Sequence, residues 1–475
     1  MSPSRKSLRP YQRKAIEGLR ADWAADKRRV LLVMPTGTGK TYVSVILILD
    51  ELKAGGRVLY LAHRRELVDQ AYRGLLGEGL SESEVGVIMA TDKRANPKAR
   101  VQIASIDTLR HRHLPKATLV VEDEAHHAMS DGRQELAKRY PKARWLGMTA
   151  TPWRLDGKDL SDAYESLVDG GSLSSLMADE YVMRPIVRSK ALGNLPDLRG
   201  VKSQAGDYNQ RELARRVNRK ELVGDIIAHW KKYAGGKPTV CFATGVKHSK
   251  SIVRSFKKAG IKAEHLDGET PAPDRDAILE RLAGGQVKIV SNCMVLGEAW
   301  DLPAVRVMIS ARPTKSLTLW LQQCGRVMRP WVETSGEFRG QKLNPLILDH
   351  AGNAWRLGLP ETDRPMELAA GCLSRGGGEA PVKRCENCET LSPAGLRVCP
   401  VCHTPFPEPA QLEEVEGELE VINRPSDEEL RADLAHIEAV LKPIARDRGI
   451  PNIKEFARKL WIAKNQLEGD ALAAE

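Results

Sequence analysis

The chain has 475 residues, 42% of them apolar and 28% charged, which describes a soluble globular protein of two or three domains and excludes a disordered or fibrous one. No apolar run approaches the ~18 residues of a membrane span, and Met1 to Pro10 lacks a signal-peptide core. The 73 Lys and Arg against 62 Asp and Glu leave a net charge of +11, which suits a polyanionic partner without specifying one.

Leu8-Arg-Pro-Tyr-Gln-Arg-Lys14 precedes a helical pattern at Ile16, Leu19 and Trp23. The amide of Gln12 carries both a donor and an acceptor, so it fits either an adenine edge or an ordinary surface. Val30 to Val33 has the branching of a buried parallel strand, and Tyr42 to Leu52 reads as a helix. Between them lies Met34-Pro-Thr-Gly-Thr-Gly-Lys-Thr41. A strand, a Gly-rich turn and a helix make a phosphate cradle. The backbone through Thr36, Gly37, Thr38 and Gly39 closes on an anion at the positive end of a helix. Lys40 reaches the β- and γ-phosphates, and the Thr41 hydroxyl holds Mg²⁺. The strict pattern has Gly where this chain has Met34.

Arg57 to Ala62 is the next strand, and a helix begins within His63-Arg64-Arg65-Glu66-Leu67. Ligands of open parallel sheets gather at the carboxyl edge, so these three cations fit a phosphodiester backbone or, more plainly, a solvated helix start. Val101 to Ile106 is a strand followed by a loop at Asp107 to Leu109; Ser105 and Thr108 can offer hydroxyls to phosphates. The apolar run from Thr118 then ends in Glu122-Asp-Glu-Ala-His126. Such a pair of acids serves phosphoryl transfer: Asp123 fixes Mg²⁺ and Glu124 activates water as a base. Glu122 stands where an apolar residue is more usual. Arg144 to Pro152 is a further strand and turn, whose Thr149 and Thr151 can bond the Asp-Glu-Ala-His loop through His126 and so couple nucleotide state to the nucleic-acid site. Alternating strands and helices predict a doubly wound α/β sheet.

Between Trp153 and Arg216 the pattern loosens, with a short helix at Ser172 to Ala178 and an extended crossover at Tyr181 to Val187. A second α/β series follows: helix 221–232, strand 238–244, helix 247–259, strand 263–268, helix 273–282, strand 287–293 and strand 305–309. Leu319-Trp-Leu-Gln-Gln-Cys-Gly-Arg-Val-Met-Arg329 closes it. Arg326 and Arg329 are three apart on this predicted helix, so both can face a γ-phosphate bound by the first sheet.

Together these stretches resemble a superfamily 2 helicase with two RecA-like domains, over roughly residues 8 to 352. Gln12 matches the adenine-reading motif, 35–41 motif I, 62–66 motif Ia, 123–126 motif II and 149–152 motif III. Phe242 to Thr244 match motif IV, Glu298 to Pro303 motif V and Gln322 to Arg329 motif VI. The resemblance implies ATP contacts at Asp301 and Gln322 and DNA contacts at His63, Arg64, Ser105, Thr108 and Thr244. Ala299 departs from the Gly usual in motif V. Arg312 to Leu317 and Ile347 to Asn353 resemble the RadD type of bacterial and phage DNA-repair helicases. The spellings of motifs III and VI are less like DEAD-box RNA helicases, which favours DNA.

Of the eight cysteines, Cys241, Cys293, Cys324 and Cys372 are scattered and read as packing residues, whereas Cys385, Cys388, Cys399 and Cys402 form two Cys-x-x-Cys pairs ten residues apart. This is the pattern of a structural zinc ribbon; a disulfide pair or a redox-labile site is the alternative. After an acidic run at 413–420, capping boxes at Ser426 and Asn452 open two amphipathic helices. The second carries Lys454, Arg458, Lys459 and Lys464, a DNA-contacting or merely solvated face.

The expected organisation is a first RecA-like domain at 1–165, a crossover at 166–216, a second domain at 217–372, a zinc ribbon at 380–408 and a helical pair at 424–470. The expected function is an ATP- and Mg²⁺-dependent cytoplasmic DNA helicase or translocase that carries a structural Zn²⁺, in a bacterium or a phage-infected cell, acting on single-stranded or branched DNA in repair, recombination or replication. A duplex translocase that does not separate strands, or a nucleotide-gated DNA-binding adaptor, are the rivals. A repair or replication protein is the expected partner of the ribbon or terminal helices, and no membrane is involved.

Overall fold

The computed structural model describes residues 7–127, 131–152, 160–191, 194–204, 207–217, 220–296, 302–331, 344–368 and 382–406, with scattered residues between 434 and 457. Residues 298–301 of motif V (298–303), with Asp301, and most of the helical pair at 424–470 lie outside them.

Helix α1 (Pro10–Ala24) leads to β1 (Arg29–Val33), α2 (Lys40–Lys53), β2 (Val58–Ala62), α3 (Arg65–Gly77), β3 (Val85–Ile88), β4 (Val101–Ser105), α4 (Ile106–Leu109) and β5 (Leu119–Asp123). A 3₁₀ turn at Ala125–His127, α5 (Asp131–Arg139), β6 (Arg144–Thr149) and β7 (Ser166–Asp169) complete the first layer. Its seven strands run parallel in the order β3-β4-β2-β5-β6-β1-β7. The middle strands are apolar on both faces because helices cover both, which explains the unbroken Val-Leu-Leu-Val and Leu-Val-Val runs.

After α6 (Leu173–Ala178), β8 (Ile186–Ser189) begins the second layer. A hairpin of β9 (Ser203–Gln204) and β10 (Asp207–Tyr208) and helix α7 (Gln210–Val217) come next. The chain then runs through α8 (Lys220–Tyr233), β11 (Thr239–Phe242), α9 (Val246–Lys258), β12 (Ala263–Leu266), α10 (Ala272–Ala283) and β13 (Ile289–Asn292). It ends this layer with β14 (Val307–Ser310), α11 (Leu317–Gly325), β15 (Leu346–Asp349) and α12 (Asn353–Leu357). The second sheet is parallel throughout, in the order β12-β13-β11-β14-β15-β8.

The structure corrects three readings. The stretch 166–216 is not only a crossover, because β7 closes the edge of the first sheet against β1 and β8 closes the edge of the second against β15. Four-residue edge strands are too short to print a period. The expected loop at Asp107–Leu109 is a helical turn, α4, and the strand before it stops at Ser105. Helix α11 ends at Gly325, so Arg326 and Arg329 lie in the turn beyond it. Strand β3 carries no alternation strong enough to have been read.

Residues 382–406 form β16 (Val382–Arg384) and β17 (Leu391–Pro393), an antiparallel pair, with a second bridge between Val398 and Pro405. Thr390 pairs with Arg188 of β8, and Arg384 Nε donates to the Ser189 carbonyl at 2.9 Å. The cysteine-rich segment therefore covers an open sheet edge that would otherwise present unpaired backbone groups. Residues 408–475 form a separate unit, in which 434–435, 438–439, 454–455 and 457 are helical. Among the described residues no helix is long and apolar enough to cross a membrane.

Candidate functional site: a nucleotide cleft between two sheets

The loop after β1 turns at Gly37 and Gly39, whose φ angles of 86° and 92° belong to glycine. Side chains also crowd both positions: a Cβ on Gly39 would meet Gln12 Nε2 at 2.5 Å, and one on Gly37 would meet Arg329 Nε at 2.9 Å. Thr38 Oγ1 closes the turn on the Pro35 carbonyl at 2.7 Å. Met34, the departure from the strict pattern, is fully buried in the first core. Lys40 and Thr41 open α2. Lys40 Nζ donates to the Met34 carbonyl at 3.0 Å. Burial lowers its pKa, while Glu124 and Asp123 oppose that shift. An anion in the loop would thus meet a cation whose hydrogen bonds go to backbone carbonyls, those of Met34 and Pro35.

Gln12 is buried beneath the same loop. Its Nε2 donates to the Thr38 carbonyl at 2.9 Å and its Oε1 accepts from Arg9 N–H at 3.0 Å, so both halves of the amide hold backbone here. Tyr11, which the sequence did not single out, donates to the same carbonyl at 2.7 Å.

Asp123 ends β5 and accepts from Tyr60 Oη on the neighbouring strand at 2.9 Å. Glu124 has φ of 52°, a left-handed conformation that a non-glycine residue adopts only under constraint from its surroundings. This turn brings its carboxylate to 3.3 Å from His126 Nδ1 and 3.3 Å from Gln322 Nε2 of the second domain. The acids respond in opposite directions. Burial, and then the charge of Glu124, raise Asp123. Burial would also raise Glu124, but the hydrogen bond and charge of His126, with Lys40 and Arg326, hold it low and ionised.

His126 Nδ1 lies 3.3 Å from Thr149 Oγ1, which donates to the Thr151 carbonyl at 2.8 Å; Thr151 Oγ1 donates to Thr318 Oγ1 at 3.1 Å. Thr318 and Gln322 are one turn apart on α11, so one face of that helix touches both ends of the chain Glu124–His126–Thr149–Thr151. The sequence named Gln322 but missed Thr318, whose signal was its spacing of four. A Cβ on Gly325 would meet Thr36 Cβ at 2.6 Å, so only glycine lets α11 end this close to the phosphate loop. Arg326 and Arg329 follow at once. Both charges are felt by Lys40, and burial lowers Arg329 to about 10.

Glu122 also finds its partners. Arg133 Nε of α5 donates to its carboxylate at 2.9 Å and Tyr164 Oη at 2.6 Å, with Arg133 stacked 4.7 Å above Trp145. No periodicity forecasts a buried triad spread over forty residues.

The residues expected to meet nucleic acid divide. His63 and Arg64 follow β2, Ser105 ends β4 and Thr108 lies in α4, so adjacent strands bring them to one carboxyl edge beside Asp123. Thr244, after β11, is buried instead, with its hydroxyl 2.8 Å from His248 Nδ1. An ion pair between Glu66 of α3 and Arg275 of α10 joins the two domains on this side.

In the cysteine cluster the four Sγ atoms lie within 4.8 Å of one another, with Cys385–Cys402 at 3.5 Å and Cys388–Cys399 at 3.6 Å. Sulfurs about 2.3 Å from a tetrahedral Zn²⁺ stand ~3.8 Å apart, so the donor set fits that ion. The knuckles repeat each other: Cys385 N–H bonds the Thr390 carbonyl and Cys399 N–H the Thr404 carbonyl, with Glu389 and His403 left-handed at φ 62° and 57°. Cys241 and Cys324 are buried in the second domain's cores.

The family model "Type III restriction enzyme, res subunit" matches residues 5–154, and the model "Helicase conserved C-terminal domain" matches residues 218–330. The chain belongs to helicase superfamily 2. A 51.5 kDa protein of a Lactococcus phage (isolate 7-9) is 29% identical over 405 residues, covering 83% of this chain and 82% of its own. DNA 3'-5' translocase XPB2 of Sulfurisphaera tokodaii is 23% identical over 365 residues, covering 68% of this chain and 78% of its own. Of two yeast relatives the chain spans only 49% and 58% of the length. The fold is shared with the ATP-dependent Type ISP restriction-modification enzyme LlaBIII bound to DNA, at TM-score 0.55 and 19% identity over 74% of this chain and 29% of that one.

Proposed function

We propose that this superfamily 2 protein is an ATP-dependent DNA helicase or translocase. The observation that carries the reading is the cleft itself, where Thr318, Gln322, Arg326 and Arg329 of one domain meet the phosphate loop, Glu124 and Thr151 of the other. ATP binds with its phosphates on the Thr36–Gly39 backbone and Lys40, and Gln12 exchanges its backbone partners for the adenine edge. Thr41 and Asp123 would hold Mg²⁺, which would supply positive charge to the phosphates, and Asp301 is proposed as a further ATP contact. Glu124 accepts a proton from the water whose oxygen bonds the γ-phosphorus as the bond to the β–γ bridging oxygen breaks, releasing ADP and phosphate. Arg326 and Arg329 offset the charge of the transferring phosphoryl, a contribution of about 10³ to 10⁵ in rate. Loss of the γ-phosphate frees both arginines and loosens the Thr151–Thr318 and Glu124–Gln322 contacts.

The opening and closing steps the domains along a strand held at their carboxyl edges by His63, Arg64, Ser105 and Thr108, mainly through phosphates. The net charge of +11, the spelling of motifs III and VI and a relative named as a DNA translocase favour DNA over RNA. The setting proposed is the cytoplasm of a bacterium or phage-infected cell, with Zn²⁺ on the four cysteines and a repair or replication role. Steady-state ATPase without polymer, with single-stranded DNA, with duplex and with RNA tests this, beside Glu124→Gln. Stimulation by single-stranded DNA is expected; tight DNA binding with negligible hydrolysis throughout would leave only a gated adaptor.

A further inference from the structure

We infer that the β9–β10 hairpin and α7, inserted between β8 and α8, form a phosphate-contacting element that carries the nucleic-acid strand over the second domain. The inference rests on the helicase reading. The insertion is a small folded unit: Val201, Tyr208, Leu213 and Val217 are buried together, and Asn209 Oδ1 accepts the first N–H groups of α7. Its anchor is Asp207, whose carboxylate takes Arg312 Nη2 at 3.1 Å, Thr314 Oγ1 at 3.0 Å and Lys315 N–H at 2.8 Å. Lys315 Nζ reaches back to Ser203 Oγ at 2.6 Å. On the other flank, a Cβ on Gly245 would touch Ala214 Cβ of α7 at 3.9 Å. The element therefore sits on the carboxyl edge of the second sheet, between the ends of β14 and β11, in the position that α/β sheets reserve for ligands.

Charge decides what it meets there. Each of the three acids between 196 and 217 has a partner of its own: Asp197 pairs with Arg199 at the surface, Asp207 takes the anchor and Glu212 accepts from Lys202 N–H. Arg211 and Arg215, four apart on the face opposite Leu213 and Val217, are exposed, and Lys247 is exposed just beyond Gly245. Thr244 offers no free hydroxyl at this edge, because His248 holds it. At the carboxyl edge of the second sheet the exposed Arg211 and Arg215 of this element, with Lys247 beside it, are the cations offered to a polyanion. Guanidiniums at helical spacing with no apolar surface between them fit a phosphodiester backbone and read no base.

The test measures the salt dependence of binding to a single-stranded oligonucleotide by fluorescence anisotropy, from 50 to 300 mM salt. It compares the full chain, Arg211→Ala/Arg215→Ala, and the charge-matched control Lys257→Ala/Lys258→Ala at the far end of α9. Each phosphate contact contributes about 0.7 to the slope of log K against log salt for single strands. The α7 variant should lose about 1.4 from the slope and bind at least tenfold more weakly at low salt, with the control unchanged. A slope equal to that of the control, in a variant with an unaltered thermal melt, overturns the inference alone. A full chain that binds neither DNA nor RNA overturns the helicase reading with it.

Discussion

Arg133→Met is the perturbation whose consequence follows most directly from the structure. Arg133 and Glu122 are 1% and 2% exposed, their charges meet at 2.9 Å, and Tyr164 supplies only one further hydrogen bond to the carboxylate. Methionine fills much of the same space between Trp145 and Tyr164 but leaves the Glu122 carboxyl buried without its cation. Breaking a buried pair from one side costs about 3–5 kcal/mol, whereas replacing both partners with apolar groups is often neutral. At about 2–4 °C per kcal/mol for a domain of this size, Arg133→Met should lower the first domain's melting temperature by ~6–20 °C. Glu122→Leu/Arg133→Met should recover most of the loss, giving a coupling above about 1 kcal/mol in the double-mutant cycle. Calorimetry and urea unfolding of the four proteins measure it. A cost below about 1 kcal/mol for Arg133→Met alone, or a double variant no better than the sum of the singles, would refute a charged Glu122–Arg133 pair.

Glu124→Gln should bind ATP as the native chain does while turnover falls by about 10² or more, since the amide accepts no proton; unchanged turnover removes Glu124 from the base role. Elemental analysis should find one zinc per chain, and Cys388→Ser should lose it and become more open to protease near β8; a cluster with no metal and an intact edge contradicts the zinc assignment. His248 is buried neutral, with its Nδ1 accepting from Thr244 N–H, and burial lowers it from 6.5 to about 4. The unfolded chain binds that proton first, so the stabilisation is complete above pH 6.5 and drains away as pH falls towards 4, by up to about 3 kcal/mol. Unfolding midpoints of the second domain at pH 7, 6 and 5 should fall accordingly, and His248→Gln should flatten the slope; an equally steep decline in that variant would place the acid sensitivity elsewhere.

Much of this protein is legible in one dimension because its chemistry is local. The phosphate loop needs two left-handed glycines, a lysine and a threonine in one turn, and each position is written consecutively. The paired acids close an apolar strand, and two Cys-x-x-Cys knuckles print their own spacing. Parallel strands sheathed by helices on both faces leave unbroken apolar runs, so the two sheets could be expected. Tertiary structure decided what depends on distance across the fold. Only there does Glu122 acquire Arg133 and Tyr164, Thr318 join Gln322 on the face that closes the cleft, and Arg326 and Arg329 leave the helix assigned to them. Short edge strands such as β7 and β8 owe their existence to the partner beside them rather than to their own four residues. The same holds at the carboxyl edge of the second sheet, where Thr244 gives its hydroxyl to His248 and the cations of an inserted helix take the exposed place.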